Sequence, residues 1–96
     1  MLITIVEFEV PASSRQALLD HIEQQAHSVR SMDGNLAYNA FASGTSNGRI
    51  VLLQEWEHEK AFSQYRASDD FSALNERLKP EMTGPPSSRS FNAMPL

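Results

Sequence analysis

The chain alternates between two kinds of apolar pattern. Four segments are rich in β-branched or alternating apolar residues, which is typical of strands, and they cover residues 2–10, 36–43, 50–57 and 87–94. The segments between them carry apolar residues three or four positions apart, which predicts helices. These helices are predicted from Ser13 to Asp33, over residues 58–66, and from Ser68 to a stop before Pro80.

Polar residues and glycines mark the ends of these elements. Ser13 and Gln16 have the spacing of a capping box at the start of the first helix. Gly34 is predicted to be the left-handed residue C′ that ends it. Asn47-Gly48 indicates a hairpin with a loop longer than two residues, and Ser68 is predicted to cap the last helix.

The order β-α-β-β-α-β predicts an α+β fold of the ferredoxin-like type, in a single domain over residues 1–96. Such a fold has an antiparallel sheet with helices on one face. The run Ile50–Leu53 is apolar at every position, so both faces of its strand need a cover. A second copy of the same sheet is the simplest cover, which predicts a homodimer.

Composition excludes several classes of function. The net charge of −4, with scattered Lys and Arg, argues against binding to nucleic acid or to anionic lipid. There is no cysteine, and three histidines without ligand spacing predict no metal site. No signal peptide or membrane span is indicated, so we expect no membrane partner and a cytoplasmic location.

Several short motifs, in this order, resemble the antibiotic biosynthesis monooxygenase domain family of the dimeric α+β barrel superfamily. The motifs are Asp33-Gly34-Asn35-Leu36 with Tyr38, Glu55-Trp56, Ala61-Phe62, Ala67-Ser68-Asp69-Asp70-Phe71, and Met82-Thr83-Gly84-Pro85 with Arg89 and Phe91. The last of these also resembles a subgroup that isomerises the phosphorylated linear form of autoinducer-2.

The resemblance implies a homodimer whose sheets pack face to face, with a pocket between sheet and helices in each subunit. Some members oxidise phenols or quinols with oxygen and without flavin, metal or haem, which implies no cofactor here. Others degrade haem. Tyr65 and Asp70 stand where members often have histidine, and Asn75 stands near the position of the haem ligand, which argues against haem degradation.

Four residues are candidates for the chemistry. Trp56, the only tryptophan, could wall a pocket and donate its indole N–H, or it could be a core anchor. Tyr65 could supply a hydroxyl donor, although its usual pKa of about 10 makes it a poor base at neutral pH. His21, with a usual pKa of about 6.5, and Glu7, on an alternating strand, are the candidate bases. The alternatives are a histidine at a helix boundary and a carboxylate at an exposed strand end or in an ion pair.

Five further residues are candidates for binding the substrate. Phe62 is one helical turn before Tyr65, and Phe71, like Tyr38, adds an aromatic ring to the same predicted pocket. Arg66 and Arg89 could bind an anionic group such as phosphate, or they could be solvated surface residues.

Three functions remain open from the sequence. The preferred hypothesis is a monooxygenase that uses no cofactor and oxidises a small aromatic or quinol-like compound with oxygen. The second is an isomerase of a phosphorylated dione-type sugar. The third is a dimeric domain that binds a small ligand without catalysis.

Overall fold

A computed structural model describes all 96 residues. The strands of its one sheet are β1 (Leu2–Glu9), β2 (Asn35–Ala42), β3 (Arg49–Trp56) and β4 (Ser87–Asn92). The helices are α1 (Arg15–Arg30), α2 (Glu59–Arg66) and α3 (Asp69–Leu78), with 3₁₀ turns at Ala12–Ser14 and Lys79–Glu81. None of the helices combines the length and apolar character needed to cross a bilayer.

The sheet has the order β2-β3-β1-β4, and every neighbouring pair is antiparallel. This arrangement confirms the predicted ferredoxin-like α+β fold. The β2–β3 hairpin places these two strands side by side, and β3 pairs with β1 along its other edge.

Odd-numbered and even-numbered residues of the strands lie on opposite faces of the sheet. On β1 and β3 the even-numbered side chains are buried under the helices, apart from half-buried Val6, whereas the odd-numbered ones are half-buried or exposed. The core under the helices includes Trp56, Tyr38, Tyr65, Leu18 and Ile22, each at most 1% exposed. No part of this chain covers the other face.

Most predicted boundaries are displaced by one or two residues. The strands β2 and β3 each begin and end one position earlier than predicted, and β4 ends at Asn92. The helix α2 begins at Glu59, because His58 is its N-cap and accepts a hydrogen bond at Nδ1 from the backbone N–H of Ala61. The predicted cap of α3 is confirmed, since Ser68 Oγ accepts from the N–H of Phe71.

The predicted capping box at Ser13 is wrong. The chain makes a 3₁₀ turn over Ala12–Ser14 and enters α1 at Arg15, and no side chain caps this end. The neighbouring Ser14 instead donates its hydroxyl hydrogen to Glu81, 3.1 Å away, which ties the start of α1 to the turn after α3.

Gly34 has the predicted positive φ, +82°, but it is not residue C′ of the helix. The helix α1 ends at Arg30 with Ser31 as its C-cap, and Gly34 lies three residues further on, just before β2. A Cβ atom at Gly34 would lie 2.6 Å from Cβ of Ala61. Glycine is therefore required both by the backbone conformation and by the close approach of α2.

Candidate active site

A cavity of about 390 Å³ lies between the helix-covered face of the sheet and the helices α2 and α3. Its floor comes from strands β1, β3 and β4 and is polar apart from Val6. The floor residues Gln54, Thr4 and Ser90 form one row across the sheet, since Thr4 pairs with Gln54 on one side and with Ser90 on the other. Ser88 extends this floor along β4.

The wall opposite the floor is aromatic, and its rim carries a cation. Phe62 of α2 and Phe71 of α3 present their rings to the cavity, and Arg66 and Asn75 follow one helical turn after each of them. The Arg66 guanidinium lies 5.8 Å from the centre of the Phe62 ring and forms no ion pair. The rim therefore holds a positive charge that no carboxylate of the chain neutralises.

Three fully buried aromatic side chains pack behind this wall. Trp56 stacks on Tyr65 with ring centres 5.3 Å apart, and the hydroxyl groups of Tyr65 and Tyr38 are hydrogen-bonded at 2.8 Å. Burial raises the pKa of Tyr65 to about 12 and raises that of Tyr38 further still. Both phenols are therefore neutral at physiological pH and cannot serve as bases.

Trp56 is connected to the cavity through Gln54. Its indole N–H donates to Oε1 of Gln54 at 3.1 Å, and the Gln54 side chain lines the cavity although the residue is only 3% exposed. Trp56 itself has no exposed surface.

The structure therefore sorts the predicted site residues into three groups. The residues that line the cavity are Phe62, Phe71 and Arg66. Those packed directly behind it are Trp56, Tyr65 and Tyr38. His21, Glu7 and Arg89 lie elsewhere.

His21 lies where α1 faces α3. Gln25 and Ser28, one and two turns further along the same face of α1, donate hydrogen bonds to Asp70 of α3. The Nε2 atom of His21 is enclosed and has no hydrogen-bond partner, and His21 does not line the cavity. The structure does not bring this imidazole to the site.

Glu7 and Arg89 are on the uncovered face of the sheet. They pair with each other across β1 and β4, with Oε1 of Glu7 3.8 Å from Nη2 of Arg89. The sheet itself separates them from the cavity. Tyr65 and Asp70, which stand where family members often have histidine, both form hydrogen bonds within the chain. Tyr65 bonds Tyr38, and Asp70 accepts from Ser28.

Sequence reasoning missed the polar floor. Gln54 interrupts the buried series Ile50, Leu52, Trp56, and Thr4 interrupts the corresponding series on β1. A polar residue on an otherwise apolar face is costly to bury without a partner, so this interruption is the signal that could have identified both.

A wider depression of about 610 Å³ lies on the surface around Met1 and residues 57–60. Glu57, His58, Glu59 and Lys60 are exposed there, so it is a shallow charged surface and not an enclosed site. The chain has no group of three His, Asp or Glu side chains placed to hold a metal ion.

The sequence profile of the antibiotic biosynthesis monooxygenase family matches residues 1–77. The chain belongs to this family. No curated protein matches the sequence.

Solved structures in the family share the fold closely. A proposed antibiotic biosynthesis monooxygenase from Nitrosomonas europaea has a TM-score of 0.90 at 16% identity, covering 98% of this chain and 99% of its own. One from Caulobacter crescentus also has a TM-score of 0.90, at 20% identity over 98% and 90% of the two chains. One from Deinococcus radiodurans has a TM-score of 0.84 at 21% identity over 100% and 95%. At these identities the likeness establishes the fold.

Proposed function

We propose that this member of the antibiotic biosynthesis monooxygenase family is a small monooxygenase that oxidises an aromatic, quinol-like compound with oxygen and without a cofactor. The observation that carries the proposal is the cavity, whose opposite walls are an aromatic pair and a row of hydrogen-bonding side chains. Its volume of about 390 Å³ suits a small ring compound.

Each wall has a role in this proposal. Phe62 and Phe71 hold the flat face of the ring by aromatic packing. Gln54, Thr4 and Ser90 bind its oxygen atoms, and Arg66 adds positive charge at the rim. Trp56 and Tyr65 act as positioning residues behind the wall, because neither touches the cavity directly.

The chemistry needs little else from the protein. A phenol ionises, and its conjugated anion transfers an electron to oxygen, after which the two radicals combine at a hydrogen-bearing ring carbon ortho or para to the phenolate. Loss of water from the resulting peroxide gives a quinone. One oxygen atom is retained as the new carbonyl oxygen on the ring, the other leaves as water, and the substrate supplies all four electrons. Donors fixed around the developing negative charge lower the barrier to its formation.

The test is oxygen uptake by the purified protein with a panel of hydroquinones and naphthols. We expect uptake above the uncatalysed rate and a loss of at least tenfold in Gln54→Leu, since losing one donor to a developing oxyanion costs about 10²–10³ in rate in a preorganised site. Gln24→Ala, an exposed change on α1 with no bonded partner, is the control and keeps the wild-type rate. Uptake no faster than in buffer across the whole panel would contradict the proposal.

Arg66 favours a second candidate, an isomerase of a phosphorylated dione-type sugar. A guanidinium without a carboxylate partner at a cavity rim is suited to a phosphate group. The two candidates differ in their need for oxygen. Turnover of a phosphorylated dione under nitrogen, lost in Arg66→Gln, would support the isomerase and exclude the oxygenase as the main activity.

The proposal includes a homodimer formed through the uncovered sheet face. Ile5 and Leu53 are half-buried neighbours across β1 and β3 on this face, and Phe91 and Phe41 lie diagonally beyond them at 47% and 52% exposure. Exposed aromatic side chains on the same face as half-buried aliphatic ones are typical of an association surface.

A further inference from the structure

The first turn of α2 is held by a single residue, His58, which lies just before it. The Nδ1 atom of His58 accepts a hydrogen bond from the N–H of Ala61 at 3.2 Å. The carbonyl oxygen of His58 accepts a second one from the N–H of Phe62 at 3.4 Å. Both hydrogen bonds that close this turn therefore end on His58.

The turn that His58 closes determines where one wall of the cavity begins. Phe62 follows the capped turn directly and Arg66 lies one turn further on, and both line the cavity. Ala61 is buried against Gly34, so the start of the helix is packed as well as capped. The helix has only eight residues, and helices of this length are marginal without such support.

Histidine differs from the usual N-cap residues in one chemical respect. Serine, threonine, asparagine and aspartate cap through oxygen atoms that remain acceptors near neutral pH. An imidazole ordinarily titrates near pH 6.5, and its protonated form carries an N–H on both nitrogens. It then has no lone pair with which to accept from Ala61. Its positive charge would also lie at the positive end of the helix dipole.

Charged groups of both signs surround the His58 ring. The depression around it is lined by the carboxylates of Glu57 and Glu59, by Lys60 of α2 and by the terminal ammonium group of Met1. None of them forms an ion pair with His58. The Met1 ammonium group donates instead to the carbonyl oxygen of Ala93 at 2.8 Å. The one specific partner of the ring is thus the N–H of Ala61, which only the neutral imidazole can accept.

We propose that His58 is a pH-dependent positioning residue, which holds the Phe62 and Arg66 wall of the cavity in place when neutral and releases it when protonated. The stabilisation from this cap is present in full where the imidazole is neutral and is lost as the pH falls through its titration. The proposal does not depend on which reaction, if any, the cavity supports.

Hydrogen exchange of single backbone amides, measured by NMR between about pH 8 and about pH 5, tests the proposal across the usual titration of an imidazole. Exchange rates are compared with those of an unstructured chain at each pH, which gives the protection of each amide. We expect the protection of the Ala61 amide to fall about fivefold on protonation, the change that corresponds to a cap of about 1 kcal/mol. The protection of Phe62 is expected to fall with it.

The chain contains its own matched control. The N–H of Phe71 has the same position in α3 as that of Ala61 in α2, and it donates to the hydroxyl oxygen of Ser68 at 3.3 Å. A hydroxyl group does not titrate in this range, so the protection of Phe71 should stay constant.

Three variants assign the effect to His58. His58→Ser keeps a capping oxygen that cannot be protonated, so Ala61 should stay protected at every pH. His58→Ala removes the cap and should give low protection throughout. His27→Gln removes an exposed histidine near the end of α1 and should leave the wild-type decline unchanged.

The wild type and His58→Ser suffice if His58→Ala does not fold. The proposal is overturned if the protection of Ala61 in the wild type follows that of Phe71, or if His58→Ser shows the same decline as the wild type. A fall at Ala61 without a fall at Phe62 would overturn the role of His58 in positioning the wall. Failure of the protein to consume oxygen would contradict the oxygenase and leave each of these outcomes readable.

Discussion

Trp56 is connected to the cavity through the side chain of Gln54, two residues before it. Its ring is fully buried against Tyr65, and its one polar atom is bonded to Gln54. Trp56, a candidate pocket wall from the sequence, thus packs behind the residues that line the cavity. The sequence could not tell whether the Trp56 ring would reach the cavity or fill the core, because alternation along a strand does not say which face the helices cover.

The bond between Trp56 and Gln54 is expected to be visible in stability. Trp56→Phe leaves Oε1 of Gln54 buried without its donor, and an unsatisfied buried acceptor costs about 1–3 kcal/mol in addition to the lost packing. Urea denaturation measures the free energy of unfolding.

The matched comparison is Gln54→Leu, made both in the wild type and in the Trp56→Phe variant. The two single changes and the double change form a cycle, and the double variant is expected to be more stable than the sum of the singles predicts by about 1 kcal/mol. Strict additivity would mean that the two side chains do not interact.

The Tyr38–Tyr65 pair predicts a loss of stability at high pH. Burial raises the pKa of Tyr65 to about 12, whereas an unfolded tyrosine titrates near 10. Above pH 10 the unfolded chain therefore releases protons that the folded chain retains. Stability is present in full below about pH 10 and falls as the pH rises, by about 1.4 kcal/mol per unit for each such tyrosine.

Thermal unfolding between pH 9 and 12 tests this expectation, with the double variant Tyr38→Phe, Tyr65→Phe as the comparison. Replacing both partners removes the titrating groups without leaving an unpaired hydroxyl, so its stability should change much less over this range. An equally steep decline in the double variant would assign the effect to other groups.

At the scale of elements, side-chain periodicity predicted every strand and helix, but it could not fix every end. The start of α1 was misjudged because a Ser-x-x-Gln spacing is compatible with more than one backbone entry, and Pro11 leads here into a 3₁₀ turn. The start of α3 was predicted correctly because Ser68 is followed at once by two acidic residues.

Two serines therefore make a matched test of helix capping. Ser68 accepts from the N–H of Phe71 and donates to the carbonyl oxygen of Tyr65 at 2.6 Å, so Ser68→Ala should lower the free energy of unfolding by about 1 kcal/mol. Ser13→Ala should have no measurable effect, since Ser13 is exposed and caps nothing. Equal effects of the two changes in a urea titration would contradict the assignment of the caps.

At the scale of the whole molecule, the uncovered sheet face is the proposed dimer surface. The run Ile50–Leu53 predicted its apolar character. We expect size-exclusion chromatography with light scattering to give a dimer at micromolar concentration. Leu53→Glu should shift it toward monomer, because a carboxylate would be buried between the sheets.

Ala73→Glu adds the same charge at an exposed position of α3 and should leave the dimer intact. A wild-type protein that stays monomeric across the micromolar range would contradict the proposed assembly. The sequence could suggest this surface because alternation reports both faces of a strand. The family resemblance placed a pocket between sheet and helices, where the cavity lies, but the sequence could not give its shape, since that is set by how α2 and α3 pack over the sheet.

The alternation of side chains along the strands limits which sequence changes this fold can accept. On β1, β3 and β4, cavity-facing residues alternate with those of the proposed dimer surface: Thr4 precedes Ile5, Leu53 precedes Gln54, and Ser90 precedes Phe91. Point substitutions can therefore alter ligand preference and self-association independently. An insertion or deletion of one residue within a strand would exchange the two sets at once, placing amides outside and aliphatic side chains inside. We expect natural length variation among relatives to be confined to the loops that join these three strands to the helices.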